Sequence, residues 1–257
     1  MADNAAKPVW YELLTTDIEA AQIFYADVLD WTIARAPYEG IDYRIAAAPD
    51  AASIAGLMTI PQPGALPSWL MYVGVEDVDA SVERVTAAGG AVQMPAMTME
   101  GVGRMAMLAD PHGAPFYVMR GESDDPSNAF VPGEAATPGH AVWNELTTPD
   151  PAASIAFYEA QFGWRQDGAM PMGELGDYQF LYAGADGIGA VMGRVPGGRE
   201  GWQPYFMVED IDAAVERLIV GGGSVIQGPD PIPGGMYSVV AEDPQGVRFG
   251  LVGSRVA

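Results

Sequence analysis

The sequence predicts an α+β protein of two tandem domains, each made of two βαβββ modules forming a curled, cup-shaped sheet with its helices outside. Three observations predict it. First, Trp10, Glu12, Asp17, Phe24, Tyr25 and Trp31 recur as Trp143, Glu145, Asp150, Phe157, Tyr158 and Trp164. Second, Trp69, Tyr72 and Val75-Glu76-Asp77 recur as Trp202, Tyr205 and Val208-Glu209-Asp210, and Asp110-Pro111 with Gly113 recurs as Asp243-Pro244 with Gly246. A single offset of 133 positions, Trp10 to Trp143, relates these blocks and marks a duplicated unit of about 120 residues. Third, a strand, a helix and several further strands follow one another twice within each repeat. The domains are expected at 1–120 and 139–257. Between them, 121–138 reads as a linker rich in Pro, Gly, Ser and acid.

The elements follow in order. A strand from Val9 to Leu14 leads to Asp17, an N-cap for a helix with Ile18, Ala21, Phe24, Tyr25, Val28 and Leu29 at helical spacing. Short β runs come next, from Tyr43 to Ala48 and from Ile54 to Ile60. The strand from Trp69 to Val75 leads to a helix capped by Asp77, with Val78, Val82 and Val85 on one face and Gly89-Gly90 at its end. Runs from Arg104 to Ala109 and from Phe116 to Met119 close the first repeat. In the second, the strand from Val142 to Thr147 leads to Asp150, with Pro151 at the favoured first helical position. The strand from Gln203 to Val208 leads to a helix capped by Asp210, with Ile211, Val215 and Leu218 inward and Gly221-Gly222-Gly223 as the stop.

Composition narrows the function classes. With 12 basic and 34 acidic residues the net charge is −22, which opposes nucleic-acid binding and a polybasic membrane anchor. Such a field attracts cationic ligands, or simply keeps the protein soluble. No apolar run approaches the roughly 20 residues that span a bilayer. The first residues lack the apolar stretch of a signal peptide, and cysteine is absent, so a cytoplasmic location is expected. There is no Walker-type loop or dinucleotide fingerprint, and no cofactor is expected.

The stretches "AAQIFYADVLDW" and "AASIAFYEAQFGW", "GVEDVDASVERVTAAGG" and "MVEDIDAAVERLIVGGG", and "DPHGAPFYV" and "DPQGVRFGLV" together resemble the vicinal oxygen chelate superfamily. That group contains glyoxalases, bleomycin-resistance proteins and extradiol dioxygenases. The paired marks "WYELLTTD", "WNELTTPD" and "GRMAMLADPHG" resemble its tandem-domain branch, which includes the mycobacterial 27 kDa and 30 kDa antigen proteins. The fold hosts many chemistries, so function rests on the site.

In metal-dependent members the resemblance implies a His seven positions before the first capping Asp, a His seven before the second, and a Glu seven after the Asp of Asp-Pro-x-Gly. Those positions hold Trp10, Leu70 and Tyr117 in the first repeat and Trp143, Gln203 and Gly250 in the second. The chain has two histidines, His112 in a turn and His140 before a strand, so no multi-His site is expected and metal is assigned to neither domain. Strand alternation sends Trp10 and Glu12, and Trp143 and Glu145, into the cavity. Glu12 and Glu145 are candidate general bases, or else structural acceptors of backbone or tyrosine hydrogen bonds. Ligand-binding candidates are Trp10, Trp143, Tyr72, Tyr205, Leu70, Gln203, Tyr117, Tyr43 and Tyr178, since rings with a few polar tips suit a flat organic molecule. Arg104 either clamps an anionic group or forms a surface ion pair, and Arg248 is expected near Glu145.

Three readings follow. The first is a metal-free binding protein for a small, partly aromatic ligand. The second is a metal-independent lyase- or isomerase-type enzyme using Glu12 or Glu145 as base. The third is metal-dependent glyoxalase or dioxygenase chemistry. The partner is a small molecule, with neither nucleic acid nor membrane, and the chain is a monomer or homodimer.

Overall fold

The computed structural model describes residues 4–38, 40–61 and 65–256. All four βαβββ modules are present. The first comprises β1 (Pro8–Thr15), α1 (Ile18–Leu29), β2 (Thr32–Arg35), β3 (Tyr43–Ala47) and β4 (Ser53–Thr59). The second comprises β5 (Ser68–Gly74), α2 (Val78–Ala87), β6 (Ala91–Met99), β7 (Gly103–Ala109) and β8 (Pro115–Gly121). The third comprises β9 (Ala141–Thr147), α3 (Pro151–Phe162), β10 (Arg165–Pro171), β11 (Asp177–Ala183) and β12 (Asp186–Met192). The fourth comprises β13 (Gly201–Asp210), α4 (Ile211–Val220), β14 (Ser224–Pro231), β15 (Tyr237–Glu242) and β16 (Arg248–Ser254).

Each repeat supplies one eight-stranded sheet, in the orders β2-β3-β4-β1-β5-β8-β7-β6 and β10-β11-β12-β9-β13-β16-β15-β14. Within each module the first strand pairs in parallel with the last, as β1 does with β4 and β5 with β8. The outer strands β6, β10 and β14 are mostly exposed, and all three carry proline. Proline is tolerated at sheet edges because no ladder bond is lost there. These edges lack the nearly continuous buried runs of inner strands such as β5, β12 and β16, which is why composition alone gives them no bounds.

The predicted caps form. Asp17, Asp77, Asp150 and Asp210 accept the N–H of Ala20, Ala80, Ala153 and Ala213 at 3.0, 3.0, 3.0 and 3.4 Å. The apolar faces of two helices differ from the expected stripes. On α2 the buried residues are Val78, Ser81 and Val85, with Val82 half-buried; on α4 they are Ile211, Ala214 and Leu218, with Val215 half-buried. The i, i+3, i+7 line faces the sheet, and small Ser81 and Ala214 suit the close approach. The Ser81 hydroxyl is satisfied by donating to the Asp77 carbonyl at 2.7 Å.

By packing, the chain divides into two compact units, and each draws on both repeats. One comprises Met1–Val9, Leu70–Ser127 and Trp143–Trp202; the other comprises Trp10–Trp69, Asn128–Val142 and Gln203–Ala257. The second module therefore packs with the third, and the first with the fourth. A buried hydrogen-bond chain joins the repeats in each unit. In the first unit the Trp202 indole donates to the Tyr158 hydroxyl at 2.8 Å, and Tyr158 donates to Asp110 at 3.3 Å. In the second, Trp69 donates to Tyr25 at 3.0 Å, and Tyr25 donates to Asp243 at 3.1 Å. Each aspartate also closes its own turn, Asp110 through the N–H groups of His112 and Ala114, Asp243 through those of Gln245 and Val247. Trp31 and Trp164 are buried and also donate to the Gly139 and Ala6 carbonyls at 2.8 and 2.6 Å.

Candidate functional site

The recurring indole and carboxylate of the first strand of each repeat share one tyrosine. In the second unit Trp10 Nε1 donates to the Tyr43 hydroxyl at 3.1 Å, and Tyr43 is hydrogen-bonded to Glu12. In the first unit Trp143 Nε1 donates to the Tyr178 hydroxyl at 2.8 Å, and Tyr178 donates to Glu145 Oε2 at 3.0 Å. An indole N–H only donates and an ionised carboxylate only accepts, so proton order runs from Trp through Tyr to Glu. Burial, reinforced by the neighbouring carboxylate, pushes both phenols well above the ordinary tyrosine range, so they stay neutral and keep donating.

Local sequence explains how Tyr43 reaches across. Strand β4 lies between β3 and β1, and Gly56 on β4 is opposite Glu12. A Cβ at Gly56 would lie 1.8 Å from the Tyr43 hydroxyl oxygen, so glycine clears the path of the phenol. The same device recurs on β16, where a Cβ at Gly250 would lie 1.9 Å from the Tyr205 ring. Tyr205 rests on bare backbone. In the first repeat the matching pair, Tyr72 and Tyr117, stacks face to face with centroids 4.1 Å apart and planes 5° from parallel.

The remaining predicted site residues fall in several places. Leu70, Tyr72, Tyr117 and Tyr205 are buried. The Gln203 Nε2 is buried and has no hydrogen-bond partner among the described residues. Arg104 is drawn to α2, pairing with Asp79 at 2.6 Å and donating to Thr98 at 3.0 Å. That is the geometry of the surface ion pair. Arg248 finds a partner on the adjacent strand, Glu242 at 3.0 Å. His112 is exposed, whereas His140 is buried between the Asn128 carbonyl at 2.6 Å and Asp50 at 2.9 Å. Phe180 was not singled out by the sequence. It stands edge-on to Trp143 and Tyr178 at 6.1 Å from each, and its place two residues after Tyr178 on β11 was the signal available.

A family model described as the Glyoxalase/Bleomycin resistance protein/Dioxygenase superfamily matches residues 7–118 and 137–251. The chain belongs to that superfamily. Among curated superfamily relatives, CFP32 of Mycobacterium tuberculosis (strain CDC 1551 / Oshkosh), named as a candidate glyoxylase, is 35% identical over 252 residues, 95% of this chain and 94% of that protein. The anthracycline biosynthesis protein DnrV of Streptomyces peucetius is 32% identical over 267 residues, 95% of this chain and 92% of its own. Two solved structures share the fold. The Mn(II)-bound glyoxalase of Novosphingobium aromaticivorans has a TM-score of 0.66 at 18% identity, covering 98% of this chain and 83% of that one. The 2,2',3-trihydroxybiphenyl 1,2-dioxygenase of Sphingomonas wittichii strain RW1 has a TM-score of 0.68 at 16% identity, covering 98% and 90%.

The superfamily includes metal-bound members, so the donor set here matters. Indoles at Trp10 and Trp143 have no lone pair to offer a cation, and their N–H groups already serve the tyrosines. Leu70 and Gly250 carry no ligating atom. No cluster of three or more His, Asp or Glu side chains among the described residues could hold an ion. The residues do not fit the metal of the superfamily's metal-bound members.

Proposed function

We propose that this superfamily member is a metal-independent binding protein for a small, partly aromatic molecule, held in the site of one or both repeats. The observation that carries the reading is the Trp–Tyr–Glu chain at the former ligand position of each repeat, which puts ring surface and a carboxylate where the resemblance expects imidazoles. The buried Gln203 amide adds to it. A buried donor without an acceptor costs about 1–3 kcal/mol, and an acceptor atom on a ligand would satisfy it. The name of the relative DnrV, an anthracycline biosynthesis protein, points to flat polycyclic molecules. Trp10, Trp143, Tyr72, Tyr205, Tyr117, Tyr43 and Tyr178 supply the apolar walls in this reading.

Titration calorimetry of EDTA-dialysed protein with an anthracycline tests it. Saturable binding with whole-number stoichiometry, unchanged by added Mn²⁺ or Fe²⁺, is the expected result. Binding only after a divalent ion is restored would overturn metal independence, and no binding of anthracyclines or other polycyclic aromatics would overturn the reading. The catalytic alternative makes Glu12 or Glu145 a base; turnover of a bound compound that survives in both Glu→Gln variants removes it.

A further inference from the structure

Two helices of one unit, α1 and α4, carry an exposed apolar face that their counterparts lack. A Cβ at Gly221 would lie 3.0 Å from the Phe24 ring, and Arg217 Nη2 donates to the Val28 carbonyl at 3.3 Å, so the helices pack antiparallel. On the outer side of this pair Ile23, Ile219 and Val220 are 71%, 57% and 85% exposed. The duplication supplies an internal comparison. At the offset of 133 positions, α3 and α2 hold Ala156, Thr86 and Ala87 instead, and these are exposed as well. The same helix pair therefore forms with small or polar residues there. Single exposed aliphatics are ordinary, whereas several on one face mark an interaction surface.

Acids accompany the aliphatics. Asp27 follows Ile23 by one helical turn, and Glu216 precedes Ile219 and Val220 by one turn. Both acids are exposed, and neither pairs with a basic side chain among the described residues. By contrast, Glu19 and Asp212 of the same helices are held by Arg44 and Arg255. The counterpart of Asp27 is Ala160, so this acid too is peculiar to the α1–α4 pair; Glu216 has Glu83 as its counterpart.

These charges select the occupant. A second copy of the chain would bring the acids against their own kind, on molecules that each carry a net charge of −22. Three aliphatic side chains also fall short of the roughly 800 Å² that each partner of a stable dimer buries. A single helix with aliphatic residues on one side and Lys or Arg a turn away matches both the apolar and the acidic positions. We propose that the outer face of α1 and α4 is a docking surface for a basic amphipathic helix of a partner protein. Ile23, Ile219 and Val220 make its apolar contact, and Asp27 and Glu216 its charge contact. The surface uses none of the tyrosine–carboxylate chains, and the inference is independent of the small-molecule reading.

The probe is a synthetic helical peptide of Leu and Lys, with Leu on one side and Lys a turn away, titrated by fluorescence anisotropy at about 0.15 M salt. A companion peptide has Ser in place of every Leu and keeps the charge. The Leu–Lys peptide is expected to bind one site per chain, at least about tenfold more tightly than its companion. Ile23→Ala, Ile219→Thr and Val220→Ala together give the face its counterpart's residues, and are expected to erase that difference with net charge unchanged. Asp27→Asn with Glu216→Gln is expected to weaken the Leu–Lys peptide severalfold. Glu100→Gln with Glu174→Gln, two exposed acids elsewhere, is the charge control and leaves its affinity in place. The converse set, Thr86→Ile, Ala87→Val, Ala156→Ile and Ala160→Asp, is expected to raise the stoichiometry from one peptide to two.

Equal binding of the two peptides, an affinity untouched by the triple variant, an equal loss in the charge control, or a stoichiometry that stays at one in the converse set would each overturn the proposal. So would a dimer in sedimentation that the triple variant converts to monomer, because a second copy would then be the occupant. Anthracycline binding decides the small-molecule reading separately.

Discussion

Tyr178 is the residue on which the site of the second repeat turns. It accepts from Trp143 and donates to Glu145, so Tyr178→Phe leaves an indole N–H and a carboxylate oxygen each short of one partner. A loss of about 1–2 kcal/mol is expected in urea denaturation. Gly56→Ala tests the same chain in the first repeat. It meets only the far end of the Tyr43 phenol, which swings aside, so the Trp10–Tyr43–Glu12 chain breaks and a loss of about 1–2 kcal/mol, like that of Tyr178→Phe, is expected. Gly250→Ala meets the Tyr205 ring at its base as well as its edge, and about 1–3 kcal/mol of destabilisation is expected from overpacking.

Arg44 is a residue-scale feature that composition hid. Buried on β3, it ties Glu19 and Gln22 of α1 to Asp42, with Asp42 at 3.1 Å. The guanidinium's hydrogen bonds hold both the Glu19 and Asp42 carboxyls below the usual carboxylate range. Their folded-state pKa values lie below the unfolded ones, so the unfolded chain takes up protons first as pH falls. The stabilisation is complete above the unfolded values, about pH 4, and is lost as pH drops through the folded ones. The urea midpoint of Arg44→Gln should accordingly depend less steeply on pH below about 5 than that of the parent chain.

At the scale of elements, the four aspartate caps were legible because capping is local: an acid with extended backbone, followed by a helical run, has its acceptor three residues from the N–H it serves. Asp150→Ala should lower stability by about 1 kcal/mol, read from thermal or chemical unfolding, since α3 has no acid in its first turn to compensate. The apolar runs of the inner strands were equally legible. The outer strands were not, because a strand with one exposed edge and mostly exposed side chains carries little period-two signal. The stripes of α2 and α4 are hard to read for a related reason. Valine at positions 82 and 215 looks like core, yet the face that meets the sheet is set by close approach, which selects Ser81 and Ala214.

For the whole molecule, the decisive arrangement is that each compact unit takes one module from each repeat. Neither repeat alone can complete a unit. A fragment ending at Ser127 should therefore appear in sedimentation either as an unfolded monomer or as a folded dimer, and mixing it with the fragment from Asn128 onward should restore native near-UV circular dichroism. Recovery of a folded monomer from one fragment would contradict this. The Tyr25–Asp243 and Tyr158–Asp110 bonds are the reciprocal contacts at stake. Replacing both tyrosines by phenylalanine should cost more than either single change and should impair reassembly of the fragments.

From its residues alone, the chain determined its duplication, its module pattern, its helix caps and the absence of imidazole from the expected metal positions. These are properties of local spacing, of a repeat compared with itself, or of which side chains carry lone pairs. Tertiary structure alone decided which modules pack together, that one tyrosine serves both the indole and the carboxylate in each repeat, and that Glu12 is buried while Glu145 is half-buried. Those outcomes depend on which surfaces meet between elements from 33 to 218 residues apart in the chain, and packing at that range leaves no period in the sequence to read.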